Sequence, residues 1–209
     1  MPRVHAHLGL ALLWGGDREG ARRAFEQTLR LDPEHRAART NLGNLHYEAA
    51  QTQPDPAAAR QGYERAAAEY EQVLKLDPEY KEALNNLGSI YLVLGQPAQA
   101  AQMYQRVVAL SPNFPEGYYN LGLAFLRQGQ YGPAVAAYQR ALGLRPDAET
   151  WCSLGEALLL AGQEAQRQGA PDGGRQQWEE AIRSFQQALA LEPGNARAAA
   201  RLRQMGGQR

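Results

Sequence analysis

Four histidines and one cysteine are the side chains with the most versatile chemistry in this 209-residue sequence. A metal site needs several such ligands at short spacing, and a nucleophile needs a nearby base. His5 and His7 are two residues apart, and such a pair does not share one face of a helix. No Asp or Glu completes a metal-ligand spacing with them, and Cys152 has no base near it in the sequence. We therefore predict that the chain is not an enzyme and that it uses no metal and no cofactor.

Residues 169–174 form the one glycine-rich segment that suggests phosphate binding, with the sequence Gly-Ala-Pro-Asp-Gly-Gly. A phosphate-binding loop of this kind follows a strand and is followed by Lys and then Ser or Thr. Neither feature is present in the surrounding sequence. We therefore predict that the segment is a turn between two helices.

The balance of charge excludes several classes of partner. Acidic and basic residues number 22 each, so the chain has no basic footprint for nucleic acid or an anionic membrane surface. No apolar run approaches the length of about 18 residues that a membrane span needs. The single cysteine excludes an internal disulfide and suits a reducing compartment such as the cytoplasm. Lys75 and Lys81 are the only lysines among 22 basic residues, a usage that suggests a GC-rich bacterial genome.

One pattern of residue types recurs five times along the chain. Each copy begins with Leu-Gly, at 8–9, 42–43, 87–88, 121–122 and 154–155. A small residue follows, and four residues after it stands an aromatic residue: Phe25, Tyr70, Tyr104, Tyr138 and Phe185. Each copy closes with a proline: Pro33, Pro78, Pro112, Pro146 and Pro193. Self-similarity of this kind is the signature of a repeat architecture.

The recurring residue types indicate pairs of closely packed helices. An interior glycine costs about 1 kcal/mol of helix propensity, so its recurrence implies a packing reason. We expect the aromatic ring to fill the space between one helix pair and the next. The proline ends each unit because it cannot continue a helix. A single long coiled coil is excluded, since prolines and glycines would interrupt it at every repeat.

This pattern resembles the tetratricopeptide repeat, a helix–turn–helix unit of 34 residues. The resemblance covers residues 2–195 and implies an all-α, right-handed solenoid, a single array over residues 1–209. Its five repeats are expected at about 2–35, 36–80, 81–114, 115–147 and 148–195. Residues 196–205, with Asn195 as the N-cap, are expected to form a C-terminal capping helix that covers the last apolar face.

Two of the repeats are longer than the others. The second carries an insertion of 11 residues and the fifth an insertion of 14, both between the first and second helix of the repeat. Turn-forming residues lie in the middle of each insertion, and good helix formers flank them. We predict lengthened helical hairpins. Two interpretations stay open, a functional edge and neutral variation of length in a permissive turn.

The resemblance also implies where a ligand would bind. The first helices of the repeats line the concave groove, and the sixth residue of each repeat faces it. Asn41, Asn86 and Asn120 hold this position and resemble an asparagine ladder that clamps an extended peptide, because a side-chain amide both donates and accepts hydrogen bonds. The alternative is that they bond only to neighbouring helices. Together with nearby groove positions, the expected peptide-binding residues are Asn41, Asn44, Tyr47, Asn86, Ser89, Tyr119, Asn120, Leu123 and Arg127.

The expected charge of the groove narrows the choice of partner. Four glutamates, at 82, 116, 149 and 156, would make it mildly acidic, which favours a neutral or basic segment, and several leucines would suit an apolar one. The carboxylate clamp by which some family members hold the C-terminus of chaperones needs Lys and Arg at groove positions. This sequence has Thr40, Glu82 and Glu116 there, so binding of chaperone tails is not expected.

Three hypotheses about function remain after these exclusions. The first is a non-catalytic scaffold that binds a protein or peptide in the concave groove. The second is a targeting or regulatory subunit of a larger complex whose chemistry lies in a partner. The third is a structural protein that self-associates through the ends of its repeat array. The groove residues favour the first hypothesis.

Overall fold

The computed structural model describes residues 1–169 and 171–206, and within those ranges it contains eleven α-helices and no strand. The predicted all-α architecture of five helix–turn–helix pairs and one further helix is confirmed. In chain order the helices are α1 Pro2–Trp14, α2 Arg18–Leu31, α3 Arg36–Gln51, α4 Pro56–Leu76, α5 Lys81–Val93, α6 Pro97–Leu110, α7 Pro115–Arg127, α8 Tyr131–Leu144, α9 Ala148–Arg167, α10 Pro171–Leu191 and α11 Ala196–Gly206.

The chain divides into two compact units, which we call unit 1 (Met1–Arg106) and unit 2 (Val107–Arg209). Unit 1 contains α1 to α5 and most of α6, and unit 2 contains the end of α6 and the helices that follow. In unit 1 the α1/α2 and α3/α4 pairs pack as antiparallel hairpins, and α5 packs against α4. In unit 2 the α7/α8 and α9/α10 pairs do the same, and α11 packs against α10.

The helix starts follow from capping side chains. Oδ1 of Asp17 accepts a hydrogen bond of 2.8 Å from the backbone N–H of Gly20, at the start of α2. Asp147 caps α9 in the same way. Asn195 caps α11 through a bond of 3.0 Å from the N–H of Ala198, as the sequence predicts. Such caps satisfy backbone donors that have no partner inside the helix.

The glycine of each Leu-Gly pair lies directly beneath the aromatic ring of the same repeat. A Cβ atom built on Gly88 would lie 2.8 Å from Cζ of Tyr104, and one built on Gly155 would lie 2.7 Å from Cζ of Phe185. Distances below about 3 Å are clashes, so only glycine permits this packing. The rings also pack toward the next helix pair, as the sequence predicts: Phe25 shares a core cluster with Leu42 of α3, and Tyr70 shares one with Leu87 of α5.

The two hairpins that carry insertions have the longest helices. α4 and α10 have 21 residues each, whereas α2 and α8 have 14. A turn at 52–55 joins α3 to α4. The turn predicted for residues 169–174 is shorter than expected, because α10 already begins at Pro171, where proline is well suited to the first position of a helix. Ala170 lies outside the described residues.

Candidate functional site

Four of the nine residues predicted to bind a peptide meet in one cavity of unit 1. The cavity has a volume of about 310 Å³, which lies at the small end of the range for ligand sites in proteins. It is formed by the C-terminal half of α3, by α4 and by α5. Its lining residues are Asn44, Tyr47, Glu48, Gln51, Tyr70, Asn86 and Ser89.

A hydrogen-bonded network of Asn44, Tyr70 and Asn86 forms the polar wall of this cavity. The hydroxyl of Tyr70 donates to Oδ1 of Asn44. Nδ2 of Asn86 lies 3.2 Å from Oδ1 of Asn44 and 3.2 Å from the Tyr70 hydroxyl, and donates to both. The Tyr70 ring is buried, and this burial raises the pKa of its hydroxyl far above the ordinary value. The tyrosine therefore stays neutral and able to donate at any physiological pH.

Ser89 extends the polar wall through a second tyrosine. Its Oγ lies 2.9 Å from the hydroxyl of Tyr104, and it also donates to the backbone oxygen of Asn85 at 3.2 Å. Burial raises the pKa of Tyr104 to about 12. The wall of the cavity is thus made of neutral groups that bond to one another, and their side chains are held in fixed orientations.

Tyr47 and Glu48 form the more open rim of the cavity. The ring of Tyr47 packs edge-on against Tyr63, with 5.5 Å between the centroids and 63° between the planes. The carboxylate of Glu48 is half exposed, and its Oε2 lies 3.0 Å from Nε of Arg18. The rim therefore offers an oriented aromatic ring and a negative charge.

The other five predicted residues lie elsewhere. The amide of Asn41 donates to the backbone oxygen of Ala37 in its own helix, at 2.8 Å, so this asparagine does not join the network. The remaining four belong to α7 in unit 2. The Tyr119 hydroxyl donates to Oε1 of Glu149 at 2.9 Å. Asn120 and Leu123 are half buried, and Arg127 is exposed.

Cys152 is buried in the core of unit 2. Its Sγ lies 3.5 Å from Oδ1 of Asn195. Burial raises the pKa of this thiol above its ordinary value, so the reactive thiolate is disfavoured. Across the described residues, no group of three or more His, Cys, Asp or Glu side chains has the geometry to hold a metal ion. No described helix is both long and apolar enough to cross a membrane.

Sequence reasoning missed Tyr70, Glu48 and Gln51 as lining residues of the cavity. The sequence predicts a packing role alone for the aromatic position, yet this residue is Phe in the first and fifth repeats and Tyr in the other three. The residue after the Leu-Gly glycine is polar where the ring is Tyr70 or Tyr104, and it accepts or donates to the ring hydroxyl. This pairing of Tyr with Asn or Ser is a signal that was available in the sequence.

Tyr138 breaks this pairing. Its ring lies against Gly122, but the next residue is Leu123, which offers no polar atom. The hydroxyl of Tyr138 is buried and has no hydrogen-bond partner among the described residues, and burial raises its pKa above the ordinary value. A buried hydroxyl without a partner costs about 1–3 kcal/mol.

The contrast between these tyrosines predicts different effects of the same substitution. Tyr70→Phe should lower the free energy of unfolding by about 1–2 kcal/mol, because it removes a donor to Asn44 and an acceptor for Asn86. Tyr138→Phe should change it by less than about 0.5 kcal/mol or raise it, because no hydrogen bond is lost. Urea denaturation followed by circular dichroism measures both. Equal losses for the two variants would contradict the assigned hydrogen bonds.

Sequence comparison now identifies the family. Models of the tetratricopeptide repeat match residues 7–61 and 55–115, and further models of the same repeat match residues 115–147 and 174–199. The chain therefore belongs to the tetratricopeptide-repeat family, a class whose stacked helix pairs form surfaces for protein interaction. No curated protein matches the chain in the corresponding sequence search.

Solved structures share this fold. One is YrrB, described as a tetratricopeptide-repeat protein with an unusual peptide-binding site, at 19% identity and a TM-score of 0.73, with 94% of this chain and 89% of that chain covered. Another is MamA, residues 41 to the end, from Desulfovibrio magneticus RS-1, at 22% identity and a TM-score of 0.73, with coverage of 93% and 97%. At these identities the likeness establishes the fold alone.

Proposed function

We propose that this chain is a non-catalytic scaffold that binds an extended peptide segment of a partner protein in the cavity of unit 1. The observation that carries the proposal is the convergence of Asn44, Tyr47, Asn86 and Ser89 in a single cavity. Binding sites of this kind are concave, with an aromatic surface and a few oriented polar groups. The description of YrrB as a peptide-binding protein of the same fold supports the proposal.

Asn86 is the residue best placed to hold a peptide backbone. Its Nδ2 atom is used within the network, and its Oδ1 atom accepts a long contact of 3.5 Å from Nδ2 of Asn85. An amide oxygen has two lone pairs, so Oδ1 can accept a further hydrogen bond from a peptide N–H. Because the network already fixes the amide, little side-chain entropy is lost on binding.

Tyr47 supplies the apolar contact. Tyrosine is enriched at binding hot spots because it combines a large ring with few rotatable bonds. Its packing against Tyr63 holds the ring at the rim of the cavity. The predicted residues of unit 2, Tyr119, Asn120, Leu123 and Arg127, remain proposals for a second contact with the same kind of segment.

Selection from a randomised peptide display library tests this function. The immobilised wild-type chain is the target, and a chain with Asn44→Ala and Asn86→Ala is the counter-target, with circular dichroism as the check on its fold. We expect peptides that enrich on the wild type and bind the double variant at least about ten-fold more weakly, since two oriented amides are lost. Failure to enrich any peptide, or equal binding to the two chains, would overturn the proposal.

A further inference from the structure

The cavity of unit 1 has features that could recognise a ligand side chain as well as a peptide backbone. We propose that it accepts the side chain of an arginine residue from the bound segment, with Glu48 and Tyr47 as the groups that recognise the guanidinium. This inference rests on the proposed function, because it names the residue that the same site selects. Three features of the cavity support it: two available acceptor groups, a negative charge and an aromatic ring at the rim.

Several donors of the polar wall are already used within the protein. The hydroxyl of Tyr70 and Nδ2 of Asn86 both donate to Oδ1 of Asn44. The hydroxyl proton of Ser89 is directed to the backbone oxygen of Asn85. The acceptors that the cavity can offer a ligand are Oδ1 of Asn86 and the carboxylate of Glu48. A ligand side chain that donates several hydrogen bonds can use both of them.

Glu48 gives the cavity a net negative charge. It is the one charged residue among the seven described residues that line the cavity. Its contact with Arg18 uses Oε2, at 3.0 Å, and the side chains of Arg18 and Glu48 are 70% and 50% exposed. An ion pair as open as this one contributes little, and a carboxylate accepts at both oxygens. Glu48 can therefore bind a second guanidinium or exchange its exposed partner for one.

Tyr47 favours arginine over lysine. A guanidinium is planar, donates five hydrogen bonds and stacks on aromatic faces, whereas an ammonium is a compact and strongly hydrated charge. The edge-on contact with Tyr63, at 5.5 Å between centroids, fixes the Tyr47 ring at the rim beside Glu48. A cation over such a ring gains further attraction, which grows as water is excluded. The cavity volume of about 310 Å³ suits one long side chain.

Peptides from the display selection serve as the probe. We expect them to carry an arginine at one recurring position, and calorimetry at low salt compares each peptide with its citrulline form, the neutral isostere. On the wild type, citrulline should weaken binding about ten-fold, and lysine should weaken it about three-fold. We call this ten-fold loss of affinity on replacing arginine with citrulline the citrulline effect. Glu48→Gln should reduce it to less than about two-fold, because the carboxylate that attracts the guanidinium charge is gone.

Two further variants complete the test. Glu64→Gln removes an exposed carboxylate of α4 that pairs with Arg60 and does not line the cavity, so the citrulline effect should stay at about ten-fold. Arg18→Gln removes the competing guanidinium, and it should raise the citrulline effect by about two-fold. A fall in the citrulline effect for either variant would contradict the assignment to Glu48.

The outcomes separate this inference from the function on which it rests. Selected peptides without arginine, an equal affinity for the citrulline form, or an equal affinity for the lysine form would overturn the inference. If those peptides still lose affinity for the Asn44→Ala and Asn86→Ala variant, the proposed function stands. If no peptide enriches, both are overturned.

Discussion

Replacing Phe185 with alanine is expected to lower the free energy of unfolding by about 3–5 kcal/mol. The ring is fully buried at the centre of the core of unit 2. It lies on the backbone of Gly155, and Ala181 and Ala188 flank it on its own helix. These small residues cannot reorient to fill the vacated space. Loss of a large buried ring beside such neighbours leaves a cavity, which adds to the lost transfer free energy.

Urea denaturation followed by circular dichroism measures this loss. The matched control is Gln186→Ala, the next residue on the same helix, which is exposed. It should change the free energy of unfolding by less than about 0.5 kcal/mol. A loss of less than about 1 kcal/mol for Phe185→Ala would mean that the ring does not carry the packing assigned to it.

The second large effect is expected at Gly88, where replacing glycine with alanine should lower the free energy of unfolding instead of raising it. Glycine to alanine inside a helix normally stabilises, by up to about 1 kcal/mol. At Gly88 the added methyl group would lie 2.8 Å from Cζ of the buried Tyr104 ring. The ring cannot retreat, because its hydroxyl is held by Ser89. We therefore expect Gly88→Ala to lower the free energy of unfolding by about 1–3 kcal/mol, as overpacking does.

Gly143→Ala is the matched control for this prediction. Gly143 lies in α8, it is exposed, and a Cβ atom there would meet nothing within 4 Å. The same substitution should raise the free energy of unfolding by about 0.5 kcal/mol. Thermal and urea denaturation of the two variants give the comparison. Stabilisation by both substitutions would show that Gly88 is not required for close packing.

The sequence predicted the helix pairs well because their determinants are local. Proline ends a helix wherever it stands in the interior, and Asn195 caps α11 through its own neighbour three residues on. Leu-Gly marks a close approach because glycine is otherwise costly in a helix. These residues act within one repeat, so their spacing alone was enough to predict the fold class.

The polar wall of the cavity could not be predicted in the same way. It depends on which of several possible hydrogen-bond partners each side chain contacts in the fold. Asn41 and Asn44 lie one turn apart on α3, and both can bond to a backbone oxygen or to a neighbouring side chain. In the structure, Asn41 forms a hydrogen bond within its own helix, whereas Asn44 bonds to Tyr70 and Asn86. This difference follows from the position of the Tyr70 ring, which the repeat register does not specify.

The helix start at Pro171 shows a similar limit. Glycine-rich segments are ordinarily assigned to turns, and Gly173 and Gly174 were assigned to one for that reason. In the structure both residues belong to α10. A Cβ atom on Gly174 would lie 3.1 Å from the backbone oxygen of Gly162, so glycine allows α9 and α10 to approach closely here.

Asn86 is the residue that we propose holds the backbone of a bound peptide in the cavity of unit 1. Isothermal calorimetry of a selected peptide with wild type, Asn86→Ala and Asn113→Ala tests it most directly, with circular dichroism as the check on folding. Asn113 is an exposed asparagine of the turn between α6 and α7 and is the control. We predict that Asn86→Ala raises Kd at least about ten-fold and that Asn113→Ala leaves it unchanged. An unchanged Kd for a folded Asn86→Ala chain would contradict the claim.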